Sequence, residues 1–254
     1  MEFNGFAQGV PCWIDASCPD VDAAAAFYTA LFGWEVPEGN PEFGGYRSAT
    51  MRDRRVAGLM GQMEPGPAYW ATYIAVDDAD AISEVVKANG GTAMMEPMTV
   101  GDFGRMAVFT DPSGAAFGIW QADTHPGCEL ANEPGTFCWS ELMATDMDGS
   151  KKFYSAVFGW AWGGVEEYAE FQIDGRSLGG MMPMPPTMPE GMPPVWGVYF
   201  AVEDAEATVA AAVGLGATVF MPPTAIEPGT FAVLADPNGA VFNVIALKPA
   251  DVGS

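Results

Sequence analysis

Apolar and polar residues alternate along 12–17 with the period of a strand, and the period then changes. Over 20–32 the apolar positions Ala24, Phe27, Tyr28 and Leu31 fall on one stripe, which predicts a helix that Asp20 or Asp22 can cap. Residues 47–63 supply further strands, with Gly44-Gly45 and Gly58 as punctuation. The cycle then restarts. A strand is predicted over 71–76, a helix over 78–89, and Gly90-Gly91 stops it. Strands over 103–110 and 115–120 are joined by the turn sequence Asp111-Pro112-Ser113-Gly114. The sum is strand, helix and three strands, twice over.

The whole pattern recurs in the second half of the chain. Cys12-Trp13 returns as Cys138-Trp139, Phe27-Tyr28 as Phe153-Tyr154, and Phe32-Gly33-Trp34 as Phe158-Gly159-Trp160. Trp70 returns as Trp196, and the turn Asp111–Gly114 as Asp236-Pro237-Asn238-Gly239. Order and spacing kept over half a chain mark a tandem repeat. One module covers residues 8–121 and the other 134–248; the polar stretch 122–133, with Pro126 and Gly127, reads as a linker. The second module's helices are predicted over 147–158 and 205–214. It also carries a proline-rich stretch, 181–194, with Met181, Met182, Met184, Met188 and Met192. Proline forbids regular structure there, so this is either a surface loop packed on the core or an adaptable apolar lid.

Composition narrows the partners. Apolar residues make up 49% of the 254, enough for a sizeable core. Against 10 Lys and Arg stand 33 Asp and Glu, a net charge of −23. Such a surface repels phosphate backbones and anionic membranes, so neither nucleic acid nor a membrane is expected as partner. No stretch approaches the ~20 apolar residues of a membrane span. The first residues lack the basic start and apolar run of a signal peptide, and Cys12, Cys18, Cys128 and Cys138 lack C-x-x-C spacing. Together these predict reduced thiols and a cytoplasmic location. His125, in the linker, is the single histidine.

The combination of Asp20-Val21-Asp22, Phe27-Tyr28, Phe32-Gly33-Trp34 and Asp111-Pro112-x-Gly114, with its second copy, resembles the vicinal oxygen chelate superfamily of glyoxalases, bleomycin-resistance proteins and extradiol dioxygenases. The resemblance covers nearly the whole chain. It implies an α+β fold of two tandem modules, each of paired βαβββ units forming a curled mixed sheet, a cup with flanking helices whose concave face holds the ligand. It also implies where a metal would be ligated. The residues there are Trp13, Ala71 and Gly118 in the first module and Trp139, Gly197 and Asn243 in the second. Trp, Ala and Gly offer no side-chain ligand, and a lone Asn is a weak one. No metal and no cofactor is therefore expected, and metal-dependent glyoxalase or dioxygenase chemistry is not.

Strand alternation says what shares the concave face. With Trp13 go Asp15 and Ser17; with Trp139 go Glu141 and Met143. Tyr73 shares the face of Ala71, Tyr199 that of Gly197, and Trp120 that of Gly118. An aromatic wall with few polar groups suits a small hydrophobic or aromatic ligand, with Ala71, Gly118 and Gly197 leaving it room. The alternative is that the indoles only fill space vacated by a metal site. Asp15 and Glu141 are the candidate acid/base groups, assisted by Tyr73 and Tyr199, since a carboxylate beside Trp in a dry cup has a raised pKa. The alternative is a purely structural carboxylate. Three functions follow. One is a metal-independent tailoring enzyme (a cyclase, epimerase or dehydratase) acting on an aromatic polyketide-like metabolite in natural product biosynthesis. Another is a resistance-type protein that sequesters such a compound, and the third a non-catalytic interaction module. Either a monomer or a homodimer fits, because one chain already holds both modules.

Overall fold

A computed structural model describes residues 1–62, 64–186, 188–189 and 191–248. In the first module the elements are β1 (Pro11–Cys18), α1 (Val21–Phe32), β2 (Arg47–Met51), β3 (Arg54–Gly61), β4 (Tyr69–Ala75), α2 (Ala79–Ala88), β5 (Thr92–Val100), β6 (Gly104–Thr110) and β7 (Ala116–Ala122). The second module has β8 (Phe137–Ala144), α3 (Met147–Phe158), β9 (Ala161–Val165), β10 (Tyr168–Ile173), β11 (Arg176–Pro183), β12 (Val195–Ala201), α4 (Ala205–Gly214), β13 (Thr218–Ile226), β14 (Gly229–Ala235) and β15 (Val241–Leu247). Each helix starts on an Asp whose carboxylate accepts a backbone N–H three residues on: Asp20, Asp78, Asp146 and Asp204. These caps satisfy donors the helix itself cannot.

Each module forms one open mixed sheet. The first has the order β2-β3-β1-β4-β7-β6-β5, the second β13-β14-β15-β12-β8-β11-β10-β9. The two βαβββ units of a module meet where β1 runs antiparallel to β4, and β8 to β12. In the first module the strand that directly follows α1, the counterpart of β9, shrinks to a single bridge, Glu35 to Thr50. Residues 35–46 hold Pro37 and Pro41, and Pro41–Phe43 turns into one 3₁₀ segment, so a full ladder cannot form there. In the second module β11 reaches into the stretch expected to be loop. Met181 and Met182 pair with Leu142 and Met143, and Met181 is fully buried. Pairing with a central strand outweighs the local proline signal until Pro183, the strand's last residue. Of that stretch, Thr187 and Glu190 lie outside the described residues.

The sheets pack back to back. Thr72 of β4 meets Ser140 of β8 hydroxyl to hydroxyl at 3.2 Å, and both are buried. Between the backs lie two apolar clusters, each built from both modules. In one, Tyr28, Trp34 and Trp70 pack with Phe200 and Phe242; in the other, Phe117 packs with Phe153, Tyr154 and Phe158. The repeated motifs serve this interface. Gly33 and Gly159 end their helices in the left-handed region, both at φ 73°, and turn the following indole inward. Trp34 Nε1 then donates to the Gly135 carbonyl, and Trp160 Nε1 to that of Gly9. Trp70 Nε1 donates to the Tyr28 hydroxyl, which donates to Asp236; Trp196, Tyr154 and Asp111 repeat this relay in the same direction with the modules exchanged. The other oxygen of Asp111 and of Asp236 holds its own turn through backbone N–H groups. Each module's Phe-Tyr helix is thus clasped by the other's Asp-Pro-x-Gly turn.

Candidate functional site

With Ile14, Ala16, Leu142 and Val198 turned into the core, the alternate residues of β1, β8 and their neighbours face outward on opposite sides of the molecule. In the first module Trp13 lies opposite Tyr73, and Asp15 between Ala71 and Gly58. Trp13 Nε1 donates to the Tyr46 hydroxyl at 2.8 Å, and that hydroxyl faces Asp15 Oδ2 at 3.4 Å. Tyr73 offers the same carboxylate a second phenol. Burial pushes the Asp15 carboxyl up to about 7, against the pull of both phenols, and pushes the Tyr46 and Tyr73 hydroxyls well above their usual range.

The second module repeats the arrangement. Trp139 Nε1 donates to the Tyr168 hydroxyl at 2.9 Å, and Tyr199 donates to Glu141 Oε1 at 2.9 Å. Tyr168 is the second phenol on Glu141. Burial raises the Glu141 carboxyl from its ordinary value, and raises both tyrosines. Each cup therefore holds a carboxylate bracketed by two phenols, one of which also receives the indole N–H.

Tyr46 and Tyr168 escape the sequence reading. They do not stand at the offset shared by the other repeats, because the loops before them differ in length. Glycines opposite the carboxylates carry the missed signal. Gly58 pairs with Asp15 and Gly180 with Glu141, and a Cβ at either would run into the Tyr46 or Tyr168 hydroxyl respectively. Only glycine lets the phenol cross the sheet there.

The remaining candidates are distributed as follows. Trp120 donates its indole N–H to the His125 carbonyl at 2.8 Å. Ser17 is buried at the edge of a cleft of about 280 Å³ that Met60, Gln62 and Tyr69 also line. Met143 is half-buried beside Met182 and Val195. Ala71 and Gly197 lie opposite the two carboxylates. The room expected over Gly118 is taken by the Tyr73 ring, which a Cβ at Gly118 would strike. Asn243 turns its amide to the Val198 carbonyl at 3.1 Å. His125, remote in sequence, is brought back against Trp13, ring centres 4.4 Å apart. Cys12 and Cys128 are buried, and burial raises both thiols, as it does that of half-buried Cys138.

Residues 13–119 match the Glyoxalase/Bleomycin resistance protein/Dioxygenase superfamily, and residues 139–245 match the Glyoxalase-like domain. The chain belongs to this superfamily. Among its relatives the glyoxylase-like CFP32 of Mycobacterium tuberculosis is 44% identical over 96% of this chain and 97% of its own. The anthracycline biosynthesis protein DnrV of Streptomyces peucetius is 37% identical over 98% of each chain. DauV of a Streptomyces species, also an anthracycline biosynthesis protein, is 38% identical over 96% of each. Among solved structures, the Mn(II)-bound glyoxalase of Novosphingobium aromaticivorans superposes with a TM-score of 0.68 at 18% identity, covering 96% of this chain and 84% of that one. The dioxygenase LapB of a Pseudomonas species gives 0.67 at 15%, covering 97% and 96%. At these identities the two structures speak to the fold.

The superfamily's metal positions do not fit a metal here. Trp13, Ala71 and Gly118 supply no donor, and Tyr73 fills the space at Gly118. In the second module Trp139 and Gly197 supply none, and the Asn243 amide is engaged by a backbone carbonyl. Among the described residues no three His, Cys, Asp or Glu side chains are grouped to hold an ion. No described helix is long and apolar enough to cross a membrane.

Proposed function

We propose that this chain is a metal-independent tailoring enzyme that performs proton-transfer chemistry on an aromatic, polyketide-like small molecule. The observation that carries this reading is the protonatable carboxylate held on an aromatic wall by two phenols in each cup. Cyclisation, epimerisation and dehydration each need one proton removed and one delivered, without net electron transfer. A carboxyl whose protonated form is favoured by burial, with a phenol at hydrogen-bond distance, offers both an acceptor and a donor. Likeness over nearly full length to two anthracycline biosynthesis proteins supports the substrate class.

A second reading is sequestration without chemistry. It draws on the fact that Glu141 and Asp15 already have internal partners, so the wall can hold a ring while the carboxylate only braces it. One experiment separates the two. A Streptomyces peucetius strain lacking DnrV is supplied with this chain, with Glu141→Gln, with Asp15→Asn or with the double variant, and its anthracycline products are profiled by mass spectrometry. Catalysis is supported if wild type restores the profile and the double variant does not, while the purified double variant still quenches indole fluorescence with the pathway's aromatic extract. Restoration by the double variant supports sequestration. No restoration by wild type overturns the tailoring reading. Retention of restoring activity by extracts treated with chelator, against loss on chelation, tests metal independence.

A further inference from the structure

The two cups have walls of the same kind, on separate sheets, but differ in what covers them. In the first, the segment after β7 folds back over the site. The Asp123 and His125 amides donate to the Phe103 carbonyl at 2.9 and 3.1 Å, and the Cys128 amide to that of Cys12 at 2.7 Å. This delivers the His125 ring edge-on to Trp13, with an angle of 86° between planes, while Trp120 flanks it at 5.4 Å. Gly127 N–H donates to His125 Nδ1 at 3.1 Å, so that nitrogen is unprotonated. Burial lowers the imidazole to about 4, so it is neutral at neutral pH and sits as an uncharged flat ring. Trp13 is left 4% exposed.

Among the described residues the second cup's indole is less covered than the first's. Trp139 and Met143 are half-buried where their counterparts Trp13 and Ser17 are buried, while Tyr46 and Tyr168 are alike half-buried. Its polar side is also richer. Across Gly58 from Asp15 stands Ser48, whereas across Gly180 from Glu141 stands Glu170. Glu170 is half-buried and accepts the Ser177 hydroxyl at 2.5 Å. A ring entering here meets an indole on one side and two carboxylates able to accept hydrogen bonds on the other.

We infer that the second module's cup is the ligand site and that the first is closed over its indole by the chain itself, away from the cleft at Ser17, His125 taking against Trp13 the place that a flat aromatic ring bearing hydroxyl groups takes against Trp139. The inference rests on the small-molecule reading above and adds which cup binds and what it recognises. The imidazole serves as an internal stand-in: it shows the pose this wall accepts. Edge-to-face packing on an indole supplies the apolar part of recognition, and hydroxyl donors to Glu141 and Glu170 supply direction.

Two measurements test it. Hydroxyl-radical footprinting of the unliganded protein, read by mass spectrometry, needs no ligand. Trp139 is expected to react several-fold faster than Trp13, and His125→Gly to bring Trp13 up towards Trp139. Titration with quinizarin, a dihydroxyanthraquinone, is expected to saturate at one molecule per chain. Trp139→Ala should weaken it about tenfold, Glu170→Gln less, and Trp13→Ala by under about twofold; His125→Gly should add a second site. Anthraquinone without hydroxyls should bind about tenfold more weakly than quinizarin. Glu170→Gln, on a half-exposed strand, covers the case in which Trp139→Ala does not fold. Equal reactivity of the two indoles, two sites in the wild type, or loss of binding on Trp13→Ala would overturn the division between cups and leave the small-molecule reading standing. Equal binding of both anthraquinones would overturn the hydroxyl recognition. Failure of the wild type to bind either compound would sink this inference together with the reading beneath it.

Discussion

At the scale of single residues, the proposed chemistry rests on the two buried carboxylates. Asp15 gains nothing from a cation; its pKa is raised because charge in that setting is costly. Its folded value of about 7 lies above the unfolded value of about 3.9, so the native state holds a proton that the unfolded chain has released. The resulting stability is complete below about pH 4 and is lost as pH rises to about 7. Asp15→Asn removes that dependence. The stability of wild type relative to this variant should fall by a few kcal/mol, about 4 at most, between pH 4 and 7, and then level off; denaturant titrations at several pH values read it. Gly180 makes a second case. Gly180→Ala should push Tyr168 off its seat, break the Trp139–Tyr168 bond and cost activity at least about tenfold with little change in melting, whereas Gly175→Ala in the neighbouring turn should not touch the site. Steady-state kinetics beside a melting curve separates the two effects.

Among the elements, the helices and turns of the repeat exist for the contact between modules. The Trp196–Tyr154–Asp111 relay is buried throughout, so Tyr154→Phe strands an indole N–H and a carboxylate oxygen at once. A cost of about 2–4 kcal/mol is expected, measurable by urea unfolding, and Tyr28→Phe should match it through Trp70 and Asp236. The outer strands show a different economy. β5 and β13 end their sheets, and each bears proline, Pro97 in one and Pro222-Pro223 in the other, with register shifts beside them. Proline is tolerated at an edge and blunts pairing with another chain, which central strands do not need.

For the whole molecule, the shared core makes the modules interdependent. Phe200 and Phe242 complete the packing around Tyr28 and Trp34, and Phe117 does the same for Tyr154 and Phe158. Residues 1–121 made alone would expose that interface to water. They should aggregate or bind a hydrophobic dye, and the full chain should unfold in one calorimetric transition. Two resolved transitions would show that the halves are independent. The same architecture points the cups to opposite sides, so a ligand in one cannot touch the other.

Much of this was legible in residue order. Period, caps and turn sequences marked the helices, with α3 and α4 placed to the residue, because those signals are local. The repeat was legible for the same reason: it needs only identity and spacing. Alternation also put Trp13 with Asp15, and Trp139 with Glu141. Tertiary structure alone decided the rest. It brought Tyr46 and Tyr168 across glycines to the carboxylates, filled the space over Gly118 with Tyr73, and returned His125 from between the modules to Trp13. Each is a contact between segments distant along the chain, and no local period encodes which strands become neighbours or which side chain reaches across a gap. The burial that sets the pKa of Asp15 is likewise a property of the assembled sheet, since a carboxyl feels the dielectric around it and not its place in the sequence.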